Sequence, residues 1–286
     1  MSRIAIIGGG NMGEALVAGI LRAGHPANKV VISERVSDRA DHLARTYSVR
    51  ALPVREALEG AEFVILAVKP GDVESVVAEI AAAAAGAEPG SAEQVLVSVA
   101  AGVTTAFFEA RLPAGSPVIR VMPNTPALVG EGISALAAGR FATPEHLARA
   151  AELFTGVGRA LTVPESQMDA VTAVSGSGPA YFFLFVEALV DAGVAAGLSR
   201  PVATDLAVQT MAGSAAMLLD RRTAAGAGSA AQPDTAAAEL RAMVTSPGGT
   251  TAAGLRELER GGLRAAVAAA VEAAKTRSEQ LGITSE

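Results

Sequence analysis

No cysteine occurs anywhere in the 286 residues. That absence excludes a disulfide framework, a thiolate nucleophile and any zinc site built on cysteine. Histidine is almost as scarce: His25, His42 and His146 stand far apart, with no partner at a metal-ligand spacing. All three read as solvated surface residues, and no metal site is expected. Lysine and arginine never form a block, and the formal net charge is −6. Phosphate neutralisation needs clustered cations, so nucleic acid is not an expected partner. Long uninterrupted apolar runs are missing too. The stretch 181–190 contains Glu187 and reads as too short to span a bilayer. The apolar pattern starts at Ile4, leaving no room for a signal peptide. The expectation is a cytoplasmic protein with no membrane partner.

Hydrophobic residues make up 50% of the chain, against 18% charged and 3% aromatic. A sizeable core can therefore be buried, largely through alanine and other small side chains that favour helices. In the first half, short β-rich runs at 3–7, 29–33, 63–68, 95–99 and 118–122 are nearly continuously apolar, as parallel strands covered on both faces are. Helical stretches at 11–23, ended by Gly24, and at 71–85 lie between them. This alternation predicts a parallel α/β sheet with right-handed crossovers. Beyond Pro164 the pattern changes to long helical segments with no convincing strand. Val186, Leu189, Val190 and Val194 are spaced for one helix face. Met211, Met217 and Met243 read as core fillers. Ser175-Gly176-Ser177-Gly178-Pro179 must break or kink its helix. The Ala/Gly-rich stretch 222–237 reads as a surface loop. These apolar helices have too little polar surface for an isolated domain, which predicts an obligate dimer.

Directly after the first strand comes Gly8-Gly9-Gly10-Asn11-Met12-Gly13. Gly8, Gly10 and Gly13 satisfy the G-x-G-x-x-G pattern of a dinucleotide-binding turn. In that pattern the first glycine makes the turn, the second admits the pyrophosphate and the third allows close helix–strand packing. The following helix, with Asn11 and Met12 in its first turn, would offer free N–H groups to the phosphates. The second strand ends in Ser33-Glu34-Arg35, where the adenosine ribose is read. Glu34 suits a 2′-hydroxyl and so NAD(H); Ser33 and Arg35 suit a 2′-phosphate and so NADP(H). Residues alone leave both open.

Ala67-Val68-Lys69-Pro70, Val99-Ala100-Ala101-Gly102 and Met122-Pro123-Asn124-Thr125-Pro126 each follow a strand, at the sheet edge where ligands bind. In the helical half stand Val174-Ser175-Gly176-Ser177-Gly178-Pro179-Ala180-Tyr181, Asp191-Ala192-Gly193 and Thr245-Ser246-Pro247-Gly248-Gly249-Thr250-Thr251. As an ordered set they resemble the pyrroline-5-carboxylate reductases over almost the whole chain. The resemblance implies an N-terminal Rossmann NAD(P)-binding domain, residues 1–163, and an all-helical dimerisation and substrate-binding domain, residues 164–286. It implies reduction of the cyclic imine pyrroline-5-carboxylate to L-proline by NADPH or NADH. It also implies dimers with shared active sites that associate further, often into decamers. Implied cofactor contacts are Gly8, Gly10, Asn11, Met12, Gly13, Ser33, Glu34, Arg35, Ala67, Val68, Lys69, Pro70, Ala100 and Asn124.

The 246–251 segment precedes a helical run at 252–259, so its backbone N–H groups suit a substrate carboxylate. Ser246, Gly248, Gly249, Thr250 and Thr251 are the expected contacts, against the plainer reading of a helix N-cap. The resemblance places Thr251 beside the ring nitrogen, as the catalytic hydroxyl. Two features depart from the family: valine stands at position 54, where asparagine is frequent, and 222–237 replaces a common Glu-His-Pro segment. The alternatives are another Rossmann-plus-helical imine or hydroxyacid reductase, or a non-catalytic dinucleotide-binding protein. The hydroxyacid enzymes rely on a lysine in the helical domain, and residues 165–274 contain none.

Overall fold

The structure, a computed structural model, describes residues 2–86, 93–224 and 235–283. Its first half is built on β1 (Ile4–Ile7), β2 (Val30–Ser33), β3 (Arg50–Ala51), β4 (Phe63–Leu66), β5 (Val95–Ser98), β6 (Val118–Met122), β7 (Gly132–Ala138) and β8 (Gly158–Thr162). They form one sheet in the order β3-β2-β1-β4-β5-β6-β7-β8. Every pairing is parallel except β6 with β7. The five expected strands are present, each within two residues of its expected bounds. The antiparallel step and strands β3, β7 and β8 were not foreseen. β7 reads Gly-Ile-Ser-Ala-Leu-Ala-Ala, a composition with little intrinsic strand preference, so its pairing partners decide its conformation.

Successive strand residues point to opposite faces, and both faces are covered. Ile4, Ile6, Ile32 and Ile65 pack against Leu16 and Ile20 of α1 (Asn11–Arg22), Leu43 of α2 (Ser37–Tyr47) and Phe154 of α6 (Pro144–Thr155). Ala5, Ile7, Val64 and Leu66 pack on the other side against α3 (Val54–Leu58), α4 (Val73–Ala85) and α5 (Thr105–Glu109). Burying one such aliphatic side chain contributes about 1.5–3 kcal/mol, so both registers of each strand must be apolar. The order of pairing reverses around β1, which lies between β2 and β4. This is the topological switch point of a Rossmann-type sheet, where ligands bind beyond the strands' carboxyl ends.

After β8 the described residues hold no further strand. A short turn, Glu165–Gln167, leads into α7 (Met168–Val171) and a π-helical turn, Thr172–Gly176. Ser177 N–H donates to the Thr172 carbonyl at 2.8 Å, so the expected break is a π turn. Pro179 then falls in the first turn of α8 (Gly178–Ala195), where its missing N–H is tolerated. The remaining helices are α9 (Arg200–Ala224), α10 (Ala236–Met243), α11 (Thr250–Arg260) and α12 (Leu263–Ile283). The chain forms two compact units, Met1–Pro179 with Val271–Glu286, and Ala180–Ala270. The second is thus inserted into the first. The later part of α12 belongs to the first unit, where Ser278, 4% exposed, donates its hydroxyl to Asp169 at 2.6 Å.

Several expectations for the helical half need correction. The 222–237 stretch is not a loop at its ends, because α9 runs through Ala224 and α10 begins at Ala236; residues 225–234 lie outside the described residues. Met217 and Met243 are exposed in the single chain rather than filling a core. Val190 is buried with Ala203 and Ala207, flanked by Val186 and Val194, but Leu189 of the same expected face is exposed. The apolar run is also longer than expected. Helical stretches Glu165–Ala195 and Arg200–Arg221 are long and apolar enough, by length and composition, to cross a bilayer. Only 17% and 11% of their apolar windows is buried within the chain.

Candidate functional site

The glycine-rich turn leaves β1 at the switch point. Gly8 has φ +105°, and a Cβ there would lie 2.6 Å from the Ala67 carbonyl oxygen. Its N–H donates to the Ser33 carbonyl at 2.8 Å. A Cβ on Gly13 would approach the Gly8 carbonyl oxygen to 2.0 Å, so only glycine lets α1 pack this close to the turn. Beside Gly10, by contrast, no atom lies within 4 Å of a Cβ position. Gly10 caps α1 with no side-chain hydrogen bond. Among the described residues nothing accepts from the N–H groups of Asn11, Met12 and Gly13. An uncapped helix N-terminus beside open space is what an anionic pyrophosphate requires.

Glu34 sits against this turn. Its Oε2 accepts the Gly9 N–H at 2.7 Å and its Oε1 the Val36 N–H at 2.9 Å. Arg39 was not foreseen. Its Nε donates to the Gly9 carbonyl at 2.8 Å, and its guanidinium meets Glu14 of α1 at 2.5 Å. Tyr47 donates to the other Glu14 oxygen at 3.0 Å. Arg39, Leu43 and Tyr47 stand at i, i+4 and i+8 on α2, a spacing that places them on one face. Burial pushes the Glu14 carboxyl up, but the hydrogen bonds from Arg39 and Tyr47 outweigh it and hold it below its ordinary value of 4.5.

The other expected cofactor residues gather along the same edge. Ala67 continues from β4, Val68 lies against Gly8, and Lys69-Pro70 opens a short helical turn ending at Asp72. Asp72 takes the exposed Arg35 guanidinium at 2.9 Å, so Arg35 is paired rather than free. Ser33 is buried at the end of β2. Ala100 is buried beyond β5, its N–H on the Ser98 hydroxyl at 3.3 Å. Asn124 follows β6, and its Oδ1 accepts the Ile133 N–H at 2.9 Å, a bond that fixes the start of β7. Deeper in β6, Arg120 is 4% exposed and ion-paired at 3.6 Å with Glu165, whose oxygens also accept the Thr105 N–H and hydroxyl.

In the second unit, the 246–251 segment turns at Pro247-Gly248, and the Gly249 N–H donates to the Ser246 carbonyl at 3.0 Å. Gly249 caps α11 without any side-chain hydrogen bond. The plainer reading of a helix N-cap is thus met through glycine, with no Ser or Thr side chain in the cap. Among the described residues the Thr250 and Thr251 hydroxyls have no hydrogen-bond partner, and the first N–H groups of α11 are likewise unpaired.

Two of the three histidines are less solvated than expected, while His42 is exposed. His25 is half-buried, with Nε2 2.7 Å from the Ser2 carbonyl oxygen, and His146 completes a capping box with Thr143. No group of three potential metal ligands occurs among the described residues.

Comparison with known proteins points one way. A family described as pyrroline-5-carboxylate reductase dimerisation matches residues 165–281, and one described as NADP oxidoreductase, coenzyme F420-dependent, matches residues 3–102. The chain is 64% identical to the pyrroline-5-carboxylate reductase of Mycobacterium tuberculosis over 100% of this chain and 99% of that one. It is 41% identical to that of Synechocystis, each covered to 98%. A solved pyrroline-5-carboxylate reductase structure from Coxiella burnetii superposes with TM-score 0.87 at 34% identity, covering 98% of both chains. The Plasmodium falciparum pyrroline carboxylate reductase, solved with NADP bound, gives 0.80 at 30%, again covering 98% of both. Identity on this scale across the whole length, with the glycine turn and the 246–251 loop both in place, makes the chain a member of the pyrroline-5-carboxylate reductase family.

Proposed function

We propose that this chain reduces pyrroline-5-carboxylate to L-proline, the last step of proline biosynthesis, using NADPH and also accepting NADH. The 64% identity over the whole chain to a reductase of that name carries the reading. The open space at Gly10 and the uncapped start of α1 fit a dinucleotide. In this reading Gly8, Gly10, Asn11, Met12 and Gly13 hold the pyrophosphate, and Ser33, Glu34 and Arg35 meet the adenosine end. Ala67, Val68, Lys69, Pro70, Ala100 and Asn124 line the remaining edge. When bound, the reduced nicotinamide supplies the hydride. The chain's own work is binding, orientation and exclusion of water. Ser246, Gly248, Gly249 and Thr250 receive the substrate carboxylate on backbone N–H groups. Thr251 offers its hydroxyl to the ring nitrogen, which becomes the amine.

Residues 1–163 then serve as the nucleotide-binding domain and 164–286 as the dimerisation and substrate-binding domain, in a cytoplasmic protein without nucleic-acid or membrane partners. The exposed apolar faces of α8 and α9 pair with a second copy, and dimers assemble further toward a decamer. Incubation of the purified chain with NADPH and pyrroline-5-carboxylate tests the reading. Loss of nicotinamide absorbance and formation of L-proline in equal amounts are expected. No oxidation above the enzyme-free rate overturns it.

A further inference from the structure

Gly9, in the middle of the glycine turn, is held by side chains on both sides. Its N–H donates to Glu34 Oε2 at 2.7 Å, and its carbonyl accepts the Arg39 Nε–H at 2.8 Å. Helix α2 adds a third contact, since a Cβ on Gly9 would lie 2.7 Å from Leu43 Cδ1. Arg39 is itself fixed. Its terminal nitrogen meets Glu14 at 2.5 Å, and Tyr47 donates to the other Glu14 oxygen at 3.0 Å. The guanidinium charge is thus neutralised by a carboxylate, and the Nε–H bond remains as its contact with the turn.

The Gly9–Gly10 peptide is trans, so the Gly10 N–H points opposite to the Gly9 carbonyl. Drawing that carbonyl toward α2 turns the N–H away from α2, and nothing among the described residues accepts it. We propose that Arg39 is a positioning residue for the cofactor: it fixes the Gly9–Gly10 peptide so that the Gly10 N–H, with those of the first turn of α1, faces the pyrophosphate. The proposal rests on the reading that the Gly8–Gly13 turn binds a dinucleotide.

Arginine Nε and glutamine Nε2 stand the same number of bonds from Cα. Arg39→Gln therefore keeps a donor for the Gly9 carbonyl, and Arg39→Met does not. Both are compared with Glu14→Gln also present, which leaves no unpaired Glu14 charge beside the turn. Titration calorimetry with ADP-ribose and 2′-phospho-ADP-ribose reads the effect without turnover. The methionine double variant should bind both ligands about three- to tenfold more weakly than the glutamine double variant, as expected for one hydrogen bond. Its Michaelis constant for NADPH should rise by the same factor, with turnover at saturating cofactor changed by less than about twofold. Arg39→Leu takes the place of methionine in the comparison if that variant folds poorly. Equal affinities in the two double variants overturn the proposal. So does a loss confined to 2′-phospho-ADP-ribose, which would make Arg39 a ligand of the 2′-phosphate instead. If the wild type binds neither ligand, the dinucleotide reading itself fails and takes the proposal with it.

Discussion

In the proposed reading single side chains act at both glycine loops, and Thr251 is the one most open to test. Thr251→Ala leaves the 246–251 backbone intact and removes the hydroxyl assigned to the ring nitrogen. One hydrogen bond made mainly in the transition state is worth about ten- to a thousandfold in turnover. Steady-state kinetics should show that loss for Thr251→Ala and much of the activity kept by Thr251→Ser. Wild-type turnover in the alanine variant would reduce the loop to anion binding. Gly249→Val should raise the Michaelis constant for substrate with cofactor binding little changed.

Two carboxylates set the acid limit at the same scale. Arg39 and Tyr47 hold Glu14 low against burial, and the Arg149 hydrogen bond, larger than the opposing burial, holds Glu62 low. A carboxyl whose folded pKa is depressed gives stability that is fully present above its ordinary value, 4.5 here, and lost as pH falls below it. Thermal midpoints followed downward from neutral pH should therefore fall less steeply below about 4.5 in Glu14→Gln and Glu62→Gln than in the wild type. Parallel curves would refute the assignment.

Among the elements, the ion pair Arg120–Glu165, buried at its arginine end, ties β6 to the first turn of the helical half and, through Thr105, to α5. Removing one partner of a buried pair costs about 3–5 kcal/mol, whereas removing both charges is often neutral. Glu165→Gln alone strands the buried Arg120 charge and should lose stability by chemical denaturation, by less than that full amount because Glu165 is itself part-exposed to water. Arg120→Met with Glu165→Gln should regain most of it, since glutamine still serves Thr105. Nothing in the sequence marked this pair, because a lone arginine within a strand pattern has no visible partner. Strands β1, β2, β4, β5 and β6 were legible because Ile- and Val-rich runs fill both faces. Strand β7 was not, since its alanines take their conformation from β6. The glycine turn was read residue by residue because sterics leave little choice at Gly8 and Gly13. Arg39 and Glu14 escaped notice because their roles arise only once α1 and α2 pack together.

At the scale of the whole molecule, the apolar helices decide the behaviour. Phe182, Phe183, Leu184 and Phe185 are all exposed on α8 in the single chain. So large an apolar surface is characteristic of an obligate interface. Light scattering in detergent-free buffer should find dimers or larger assemblies at every concentration that supports activity. A stable, active monomer would contradict this.

Helix α12 gives the order of synthesis a role in folding. The segment that donates the Ser278 hydroxyl to Asp169 leaves the ribosome only after all of residues 180–270. The first compact unit, begun first, is therefore among the last parts to be finished. Until α12 arrives, the surface around Gly102 and Asp169 that it covers stays bare. A chain interrupted anywhere in α9, α10 or α11 would thus emerge with two faulty halves, instead of one sound half and one missing.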